Sequence, residues 1–318
     1  MVEEVLPDIF RCEIPLPDNP LRAVHSYVIR GGDRALMIDT GMNRPECLAA
    51  MQAAVQALRL DLSRTDFFIT HYHSDHIGLV SELRTSTSQA FLNPVDADTI
   101  LDKEAWARMA EEAGRHGFPD AETAVIKHPG RRYLFTGSPE FTPVVDGDKI
   151  SIGAYTFQCV TTPGHTPGHT CLYEPEAKIF ISGDHILDNI TPNISGWRCA
   201  DALANFLRSL DKVRPYDIRV ILPSHRGLMR DHPRRVDELK EHHRTRLEEV
   251  LRILGKGSQT AYQVASRMAW KISCPRWEDF PLPQKWFATG EALSHLSYLE
   301  QTGRIREERR DQTVFFRL

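Results

Sequence analysis

The sequence predicts an α/β fold with a mostly helical C-terminal extension. Strand-like apolar segments alternate with helical patterns as far as about residue 225, and beyond it the order is helix, helix, helix and hairpin. Polar motifs directly follow several of the apolar segments, where an α/β sheet presents its functional groups. With 318 residues, 41% of them hydrophobic, the chain is long enough for one large domain with an appendage.

The predicted elements start with a hairpin, in which residues 26–30 and 34–39 are strands joined by a turn at residues 31–33. Helical patterns follow at residues 44–59, 77–85, 95–115, 199–213 and 233–254. The glycine-rich residues 255–258 are predicted to form a hinge. The tail then predicts short helices at 260–268 and 289–299 and a hairpin at 304–318. We expect a catalytic domain at residues 1–230, and a linker helix with a smaller domain at 231–318.

The segment from His71 to His76 contains four metal-binding side chains in six residues, directly after the apolar segment 67–70. Three histidines in six residues are improbable by chance in a chain with 14 histidines. Neutral imidazoles together with a carboxylate suit a borderline divalent ion such as zinc. The segment therefore predicts a metal site at a strand end.

Three more segments place a ligand-capable residue just after an apolar strand. They contain His165 and His169 in a turn rich in glycine and proline, then Asp184, and then His225. Each segment alone is typical of a polar strand end. Their order along one chain makes them reinforce one another.

In this order the motifs resemble those of the metallo-β-lactamase fold hydrolases, which include glyoxalase II, lactonases and several ribonucleases. The resemblance extends from Asp39 to His225 and implies an αββα sandwich. It implies two ligand sets, one for each metal: His71, His73 and His165 for the first, and Asp75, His76 and His225 for the second. Asp184 would bridge the two metals, and Asp39 would order the ligand loop. The implied cofactors are two divalent ions, with zinc favoured and iron or manganese as alternatives.

The metal pair that the resemblance implies predicts hydrolysis of a small ester, thioester or lactone by a metal-bridging hydroxide. Asp184 and Asp75 are the expected catalytic residues, the first as the bridging charge and the second to orient the hydroxide and carry a proton. His169 and His185 lie close to ligands in the sequence, so we expect them to support the ligands or line the pocket. Asn193 is expected to donate a hydrogen bond to a substrate carbonyl.

Two other functions of the same fold remain open, a metal-dependent ribonuclease and a mononuclear iron dioxygenase. Charge disfavours the ribonuclease, because the first 225 residues carry 30 acidic against 21 basic residues. Proteins that grip phosphates usually concentrate basic residues near the site. Metal analysis would distinguish a dioxygenase with one iron ion from a hydrolase with two divalent ions.

The tail is similar to the winged-helix tail of the β-lactamase-like 2 branch of the fold. Its helix at about 287–302 contains Glu291 and Glu300 and no Lys or Arg, so it has nothing to neutralise phosphates. We therefore expect the tail to pack on the catalytic domain or to form a homodimer contact, with nucleic acid disfavoured as a partner. The expected partner of the site is a small-molecule acyl substrate.

The expected location is the cytoplasm. Residues 1–6 are acidic and lack a basic leader, and no apolar run is long enough for a membrane span. Six cysteines occur without a CxxC pair, which is typical of reduced thiols in a reducing compartment.

Overall fold

The computed structural model describes residues 1–137, 139–199, 201–272, 274 and 276–318. The chain forms two compact units, each assembled from separate stretches of sequence. Unit 1 consists of Met1–Asp102, Pro129–Pro192 and Arg214–Arg235. Unit 2 consists of Lys103–His128, Asn193–Val213 and Val236–Leu318. Two segments from inside the predicted catalytic domain therefore belong to unit 2.

Unit 1 contains a seven-stranded sheet whose strands are adjacent in chain order. The strands are β1 (Val2–Leu6), β2 (Ile9–Pro15), β3 (Ala23–Gly31), β4 (Arg34–Ile38), β5 (Thr65–Phe68), β6 (Ala90–Leu92) and β7 (Thr142–Pro143). Neighbours from β1 to β4 pair antiparallel, and those from β4 to β7 pair parallel. The predicted hairpin is confirmed as β3 and β4.

A second sheet of unit 1 has five strands in the order β12, β11, β10, β9, β8. The strands are β8 (Lys149–Ile152), β9 (Tyr155–Thr161), β10 (Thr170–Glu174), β11 (Ile179–Gly183) and β12 (Val220–Pro223). Only β11 and β12 pair parallel among these. Because β9 and β11 are both antiparallel to β10, the strands β9, β11 and β12 all run in the same direction.

The two sheets of unit 1 enclose one hydrophobic core. Phe68 of the first sheet packs in the same cluster as Phe157 and Leu222 of the second. Phe67 points to the opposite face, because successive strand residues alternate, and there it packs with Met51 of the helix Pro45–Leu58. Both faces are therefore buried at the end of β5, which explains the consecutive apolar residues Phe67, Phe68 and Ile69.

In the described part of the chain the α-helices are α1 (Pro45–Leu58), α2 (Ser74–Ile77), α3 (Val80–Leu83), α4 (Pro94–Leu101), α5 (Ala105–Arg115), α6 (Ala121–Lys127), α7 (Pro129–Arg132), α8 (Ala202–Val213), α9 (His232–Leu254), α10 (Ala261–Ala265) and α11 (Leu282–Gln301). The prediction of one helix over 95–115 is wrong. It is two helices, because the backbone of Asp102 is extended (φ −73°, ψ 100°) and ends α4. The pattern at 77–85 is likewise divided between α2 and α3.

Unit 2 confirms the predicted helical C-terminal region. Thr260 and Gln263 form a reciprocal capping box that starts α10, since each side chain accepts from the other's backbone amide. The buried face of α11 includes Leu293, Leu296 and Leu299. The chain ends in the antiparallel hairpin of β13 (Arg306–Arg310) and β14 (Thr313–Arg317). Its likeness to a winged helix stays a prediction.

None of the helices in the described ranges is long and apolar enough to cross a membrane. The cysteines at positions 12, 47, 159, 171, 199 and 274 are free thiols. Burial raises the pKa of the Cys159 thiol to about 12, which suits a packing residue rather than a nucleophile.

Candidate metal centre

Strand direction brings the predicted site residues to one edge of each sheet. In the first sheet, β4 and β5 are parallel neighbours, so Asp39 and the segment that starts at His71 leave the sheet side by side. In the second sheet, β9, β11 and β12 run in the same direction, and they are followed by the segments that contain His165, Asp184 and His225. The five motifs of the sequence therefore converge within unit 1.

Seven side chains, all predicted from the sequence as metal ligands, form three overlapping groups. The groups are His71, His73 and His165; His71, His76 and Asp184; and Asp75, His76 and His225. Within each group the candidate ligand atoms lie within 4.8 Å of one another. The sharing of His71 and His76 between groups joins them into one continuous cluster.

Asp184 lies at the centre of this cluster, and its two oxygens face different histidines. One oxygen, Oδ2, is 3.5 Å from His165 Nε2 and 3.6 Å from His76 Nε2. The other, Oδ1, is 3.5 Å from His225 Nε2. A single carboxylate thus contacts members of both predicted ligand sets.

These separations fit metal ligands better than direct hydrogen bonds. Two ligands about 2.0–2.2 Å from one tetrahedral zinc ion would themselves be about 3.4 Å apart. Asp75 Oδ2 lies 3.5 Å from His225 Nε2 and 3.8 Å from His76 Nε2. The Nε2 atoms of both histidines and Asp184 Oδ1 are buried and have no hydrogen-bond partner among the described residues. The residues therefore fit divalent metal ions.

Hydrogen bonds on the far side of the imidazole rings orient the ligands. His76 Nδ1 donates to Asp39 Oδ2 at 2.7 Å, and His225 Nδ1 donates to the Ala23 carbonyl at 2.8 Å. The Thr70 hydroxyl donates to Asp39 at 2.9 Å, which leaves its oxygen to accept from His71 Nδ1 at 3.0 Å. These contacts keep a proton on Nδ1 of each ring and direct Nε2 toward the cluster.

Burial and neighbouring charge divide the histidines into two kinds. Burial lowers the pKa values of His71 and His73 well below the ordinary range, so both rings stay neutral and able to bind metal. Burial also disfavours the proton on His225, but the adjacent Asp184 and Asp75 carboxylates together outweigh it and raise the pKa of His225 to about 10.

The carboxylates of the cluster are held in the charged form. Burial opposes the charge on Asp184, but His225 and His76 outweigh it and keep the pKa of this carboxyl well below its usual value. The pKa of Asp75 is lowered in the same way, against burial, by His76 and His225. Two negative charges in a buried site attract cations, whether protons or metal ions.

The turn at Gly183 positions Asp184. Gly183 has φ +51°, and a Cβ atom there would lie 2.7 Å from His169 Nε2 and 2.9 Å from Thr70 Cβ. His169 accepts from the backbone amide of Asp184 at 3.1 Å, and its Nδ1 lies 2.8 Å from the Thr162 hydroxyl. Only glycine combines this backbone conformation with such close packing.

The remaining predicted residues have different environments. His185 is fully buried in unit 1, and its ring centroid is 6.1 Å from that of His169. Asn193 belongs to unit 2, where its amide nitrogen lies 3.5 Å from the Phe287 carbonyl and 3.4 Å from Glu291 Oε2. Its role at a substrate carbonyl stays a prediction.

Two supporting residues had no role in the sequence analysis. Thr70 links Asp39 to His71, and Ser224 donates to Asp39 Oδ2 at 3.1 Å. Both residues immediately precede a predicted ligand. Their position beside His71 and His225 was the available signal, although a hydroxyl next to a ligand is too common to predict a function by itself.

A sequence profile described as the metallo-beta-lactamase superfamily matches residues 19–225. The chain belongs to this superfamily. It is also 26% identical to a metallo-beta-lactamase family protein from Thermus thermophilus, with a TM-score of 0.84 over 99% of this chain and 100% of that one. The fold predicted from the motifs is confirmed.

Two curated proteins are similar to this chain over most of its length. The chain is 25% identical to the atrochrysone carboxyl ACP thioesterase of Aspergillus fumigatus, over 81% of this chain and 54% of that protein. It is 24% identical to the beta-lactamase-like protein 2 homolog of Caenorhabditis elegans, over 74% of this chain and 66% of that protein. The matched region thus spans about half the length of the first relative and just under two thirds of the second.

Proposed function

We propose that the protein is a binuclear metal-dependent hydrolase of a small ester, thioester or lactone. The observation that carries the proposal is the position of Asp184, whose two oxygens face histidines of both ligand sets at 3.5–3.6 Å. A carboxylate in this position can bridge two ions. The similarity to a thioesterase over 81% of the chain supports a thioester as the first substrate to test.

The residues fit two divalent ions, with zinc favoured by the histidine-rich ligand sets and iron or manganese as alternatives. His71, His73 and His165 would hold one ion, Asp75, His76 and His225 the other, and Asp184 both. When bound, such a pair supplies a shared water with a pKa lowered to about 7 and polarises a substrate carbonyl.

Asp75 is the residue best placed to move a proton. Its side chain keeps 13% of its surface exposed, whereas those of His76 and His225 are fully buried. Its carboxylate is held in the charged form, so it can orient an attacking water through a hydrogen bond, accept a proton from that water and pass this proton to the leaving group. A thiolate can leave without a proton, whereas the alkoxide released from an ester or lactone needs one.

The charge of the chain also favours a small substrate over nucleic acid. The excess of acidic residues in the first 225 positions would repel a phosphate backbone. A cytoplasmic location would suit the six free thiols. These arguments support a small acyl compound as the partner of the site.

A substrate screen tests the proposal. Protein stripped with EDTA and reloaded with zinc would be assayed against acyl-glutathione, acyl-CoA, lactone and single-stranded RNA, with metal content measured on each sample. We expect zinc to restore hydrolysis of a thioester or lactone, and Asp184→Asn to abolish it. Glu176→Gln is a matched control, because Glu176 is an exposed carboxylate in the turn after β10.

Two results would overturn the proposal. The first is RNA cleavage by the zinc-loaded protein without acyl hydrolysis, which would identify a ribonuclease. The second is oxygen consumption by an iron-loaded sample that hydrolyses none of the acyl compounds, which would identify a dioxygenase.

A further inference from the structure

Asp96 is a fully buried carboxylate in the first turn of α4, outside all of the predicted ligand groups. It accepts three hydrogen bonds from two other segments of unit 1. The Gly168 amide donates to Oδ1 at 2.6 Å, and the Thr166 hydroxyl donates to Oδ2 at 2.7 Å. The Tyr72 amide donates to Oδ2 at 3.2 Å. These hydrogen bonds hold the buried carboxylate in one position.

Two of the three donors directly adjoin ligands of the first set, and the third, Gly168, lies in the same turn as His165. Tyr72 is between His71 and His73 in the sequence, and Thr166 follows His165 directly. Asp96 thus ties together the two segments that supply His71, His73 and His165. The contact is close, since a Cβ atom on Gly168 would lie 2.8 Å from Asp96 Oδ1.

The other ligand set is oriented by different groups. His76 donates to Asp39 at 2.7 Å, the Thr40 hydroxyl donates to the His76 carbonyl at 2.7 Å, and His225 donates to the Ala23 carbonyl at 2.8 Å. Asp39 thus supports the second set directly and reaches the first set only through Thr70 and His71, whereas Asp96 contacts the backbone segments that hold the first set.

We propose that Asp96 is a positioning residue for the metal held by His71, His73 and His165. The role rests on the binuclear centre proposed above. Asp96 fixes the separation of the two ligand segments through their backbone and the Thr166 hydroxyl, so its loss should affect the metal of this set and spare the other. Groups that orient metal ligands typically alter metal affinity by about 10- to 100-fold when they are removed.

Metal binding by the full chain tests the role without reference to activity. Metal-free protein would be titrated with zinc in competition with a chromophoric chelator, and with Co²⁺ to record the visible spectrum of each site. His73→Ala and His225→Ala serve as markers, because each removes a ligand from one set. We expect Asp96→Asn to raise one of the two zinc dissociation constants at least tenfold. Its Co²⁺ spectrum should match that of His73→Ala.

Further variants separate positioning from folding. Asp98→Asn changes an exposed carboxylate on the same helix and should bind both ions as the wild type does. Thr166→Val removes one hydrogen bond to Asp96 and should weaken the same site, whereas Thr166→Ser should restore it. If Asp96→Asn does not fold, the pair of Thr166 variants decides the question.

The outcomes distinguish this role from the proposed centre itself. A wild-type protein that binds a single ion refutes the binuclear centre. The role of Asp96 alone is refuted if the wild type binds two ions but Asp96→Asn leaves both zinc dissociation constants unchanged. It is also refuted if Asp96→Asn raises both constants equally. Thr166→Val that binds zinc as the wild type does also refutes it.

Discussion

Asp39→Asn tests the hydrogen-bond network that supports the candidate metal centre. The buried carboxylate accepts four hydrogen bonds, from the Thr70 amide at 2.9 Å, the Thr70 hydroxyl at 2.9 Å, His76 Nδ1 at 2.7 Å and the Ser224 hydroxyl at 3.1 Å. Asparagine keeps one accepting oxygen and replaces the other with an amide nitrogen, which cannot accept. At least one buried N–H, that of Thr70 or that of His76, then loses its acceptor.

The expected loss of unfolding free energy follows from these contacts. A buried donor without a partner costs about 1–3 kcal/mol, and each hydrogen bond that loses its charged acceptor weakens by roughly 0.5 kcal/mol. We therefore expect Asp39→Asn to lower the unfolding free energy of the metal-free protein by about 3 kcal/mol. Zinc affinity should also fall by about 10- to 100-fold, because His76 loses its orienting acceptor.

Urea denaturation in the presence of EDTA measures the loss of unfolding free energy, and two further variants provide values for comparison. Ser224→Ala removes one of the four hydrogen bonds and should cost about 1 kcal/mol. Asp33→Asn removes an ion pair with Arg64 in which the Asp33 side chain is 82% exposed, so it should cost less than about 0.5 kcal/mol. If Asp39→Asn were no more destabilising than Ser224→Ala, the network would not support the site in the way described.

The other predictions concern catalysis, backbone conformation and pH. Asp75→Asn should lower kcat by about 100-fold with little change in KM, because proton transfer acts in the transition state; full turnover with metal in place would show that Asp75 is only structural. Gly183→Ala should lower the unfolding free energy by about 2 kcal/mol, because its Cβ would meet His169. Gly32→Ala, at a similar φ of +48° with no atom near its Cβ, should cost about 1 kcal/mol, and equal losses would contradict the packing argument. Burial lowers the pKa of His295 to about 3, against about 6.5 in an unfolded chain, so its contribution to stability is complete above pH 6.5 and is lost as the pH falls toward 3. In urea denaturation, this group should lower the unfolding free energy by about 2 kcal/mol at pH 5 relative to pH 7.5. If His295→Gln lost as much unfolding free energy between these pH values as the wild type, His295 would not be the group responsible.

The candidate site could be predicted from the sequence because its signals are local. His71, His73 and His76 lie within six residues, and each further motif directly follows an apolar strand. Strand direction then brings the motifs together. The pairs β4 with β5 and β11 with β12 are parallel neighbours, so the residues that follow them lie at the same edge of the sheet. An apolar run followed by a ligand is a pattern that a single sequence displays.

Features that depend on tertiary contacts could not be predicted in this way. The helical pattern at 95–115 is continuous in composition, but α4 belongs to unit 1 and α5 to unit 2. Asp96 follows β6, a strand of only three residues, which is too short to show a periodic pattern. Its partners, Tyr72 and Gly168, are 24 and 72 residues away in the sequence, so only the structure relates them to Asp96.

Anomalous diffraction from crystals of the zinc-loaded protein, recorded at the zinc absorption edge, tests the central claim most directly. The proposal predicts two peaks in each chain, one within bonding distance of His71, His73 and His165 and the other within bonding distance of Asp75, His76 and His225. Asp184 should contact both peaks. A single peak in crystals grown with excess zinc, or two peaks that do not share Asp184, would contradict the binuclear centre.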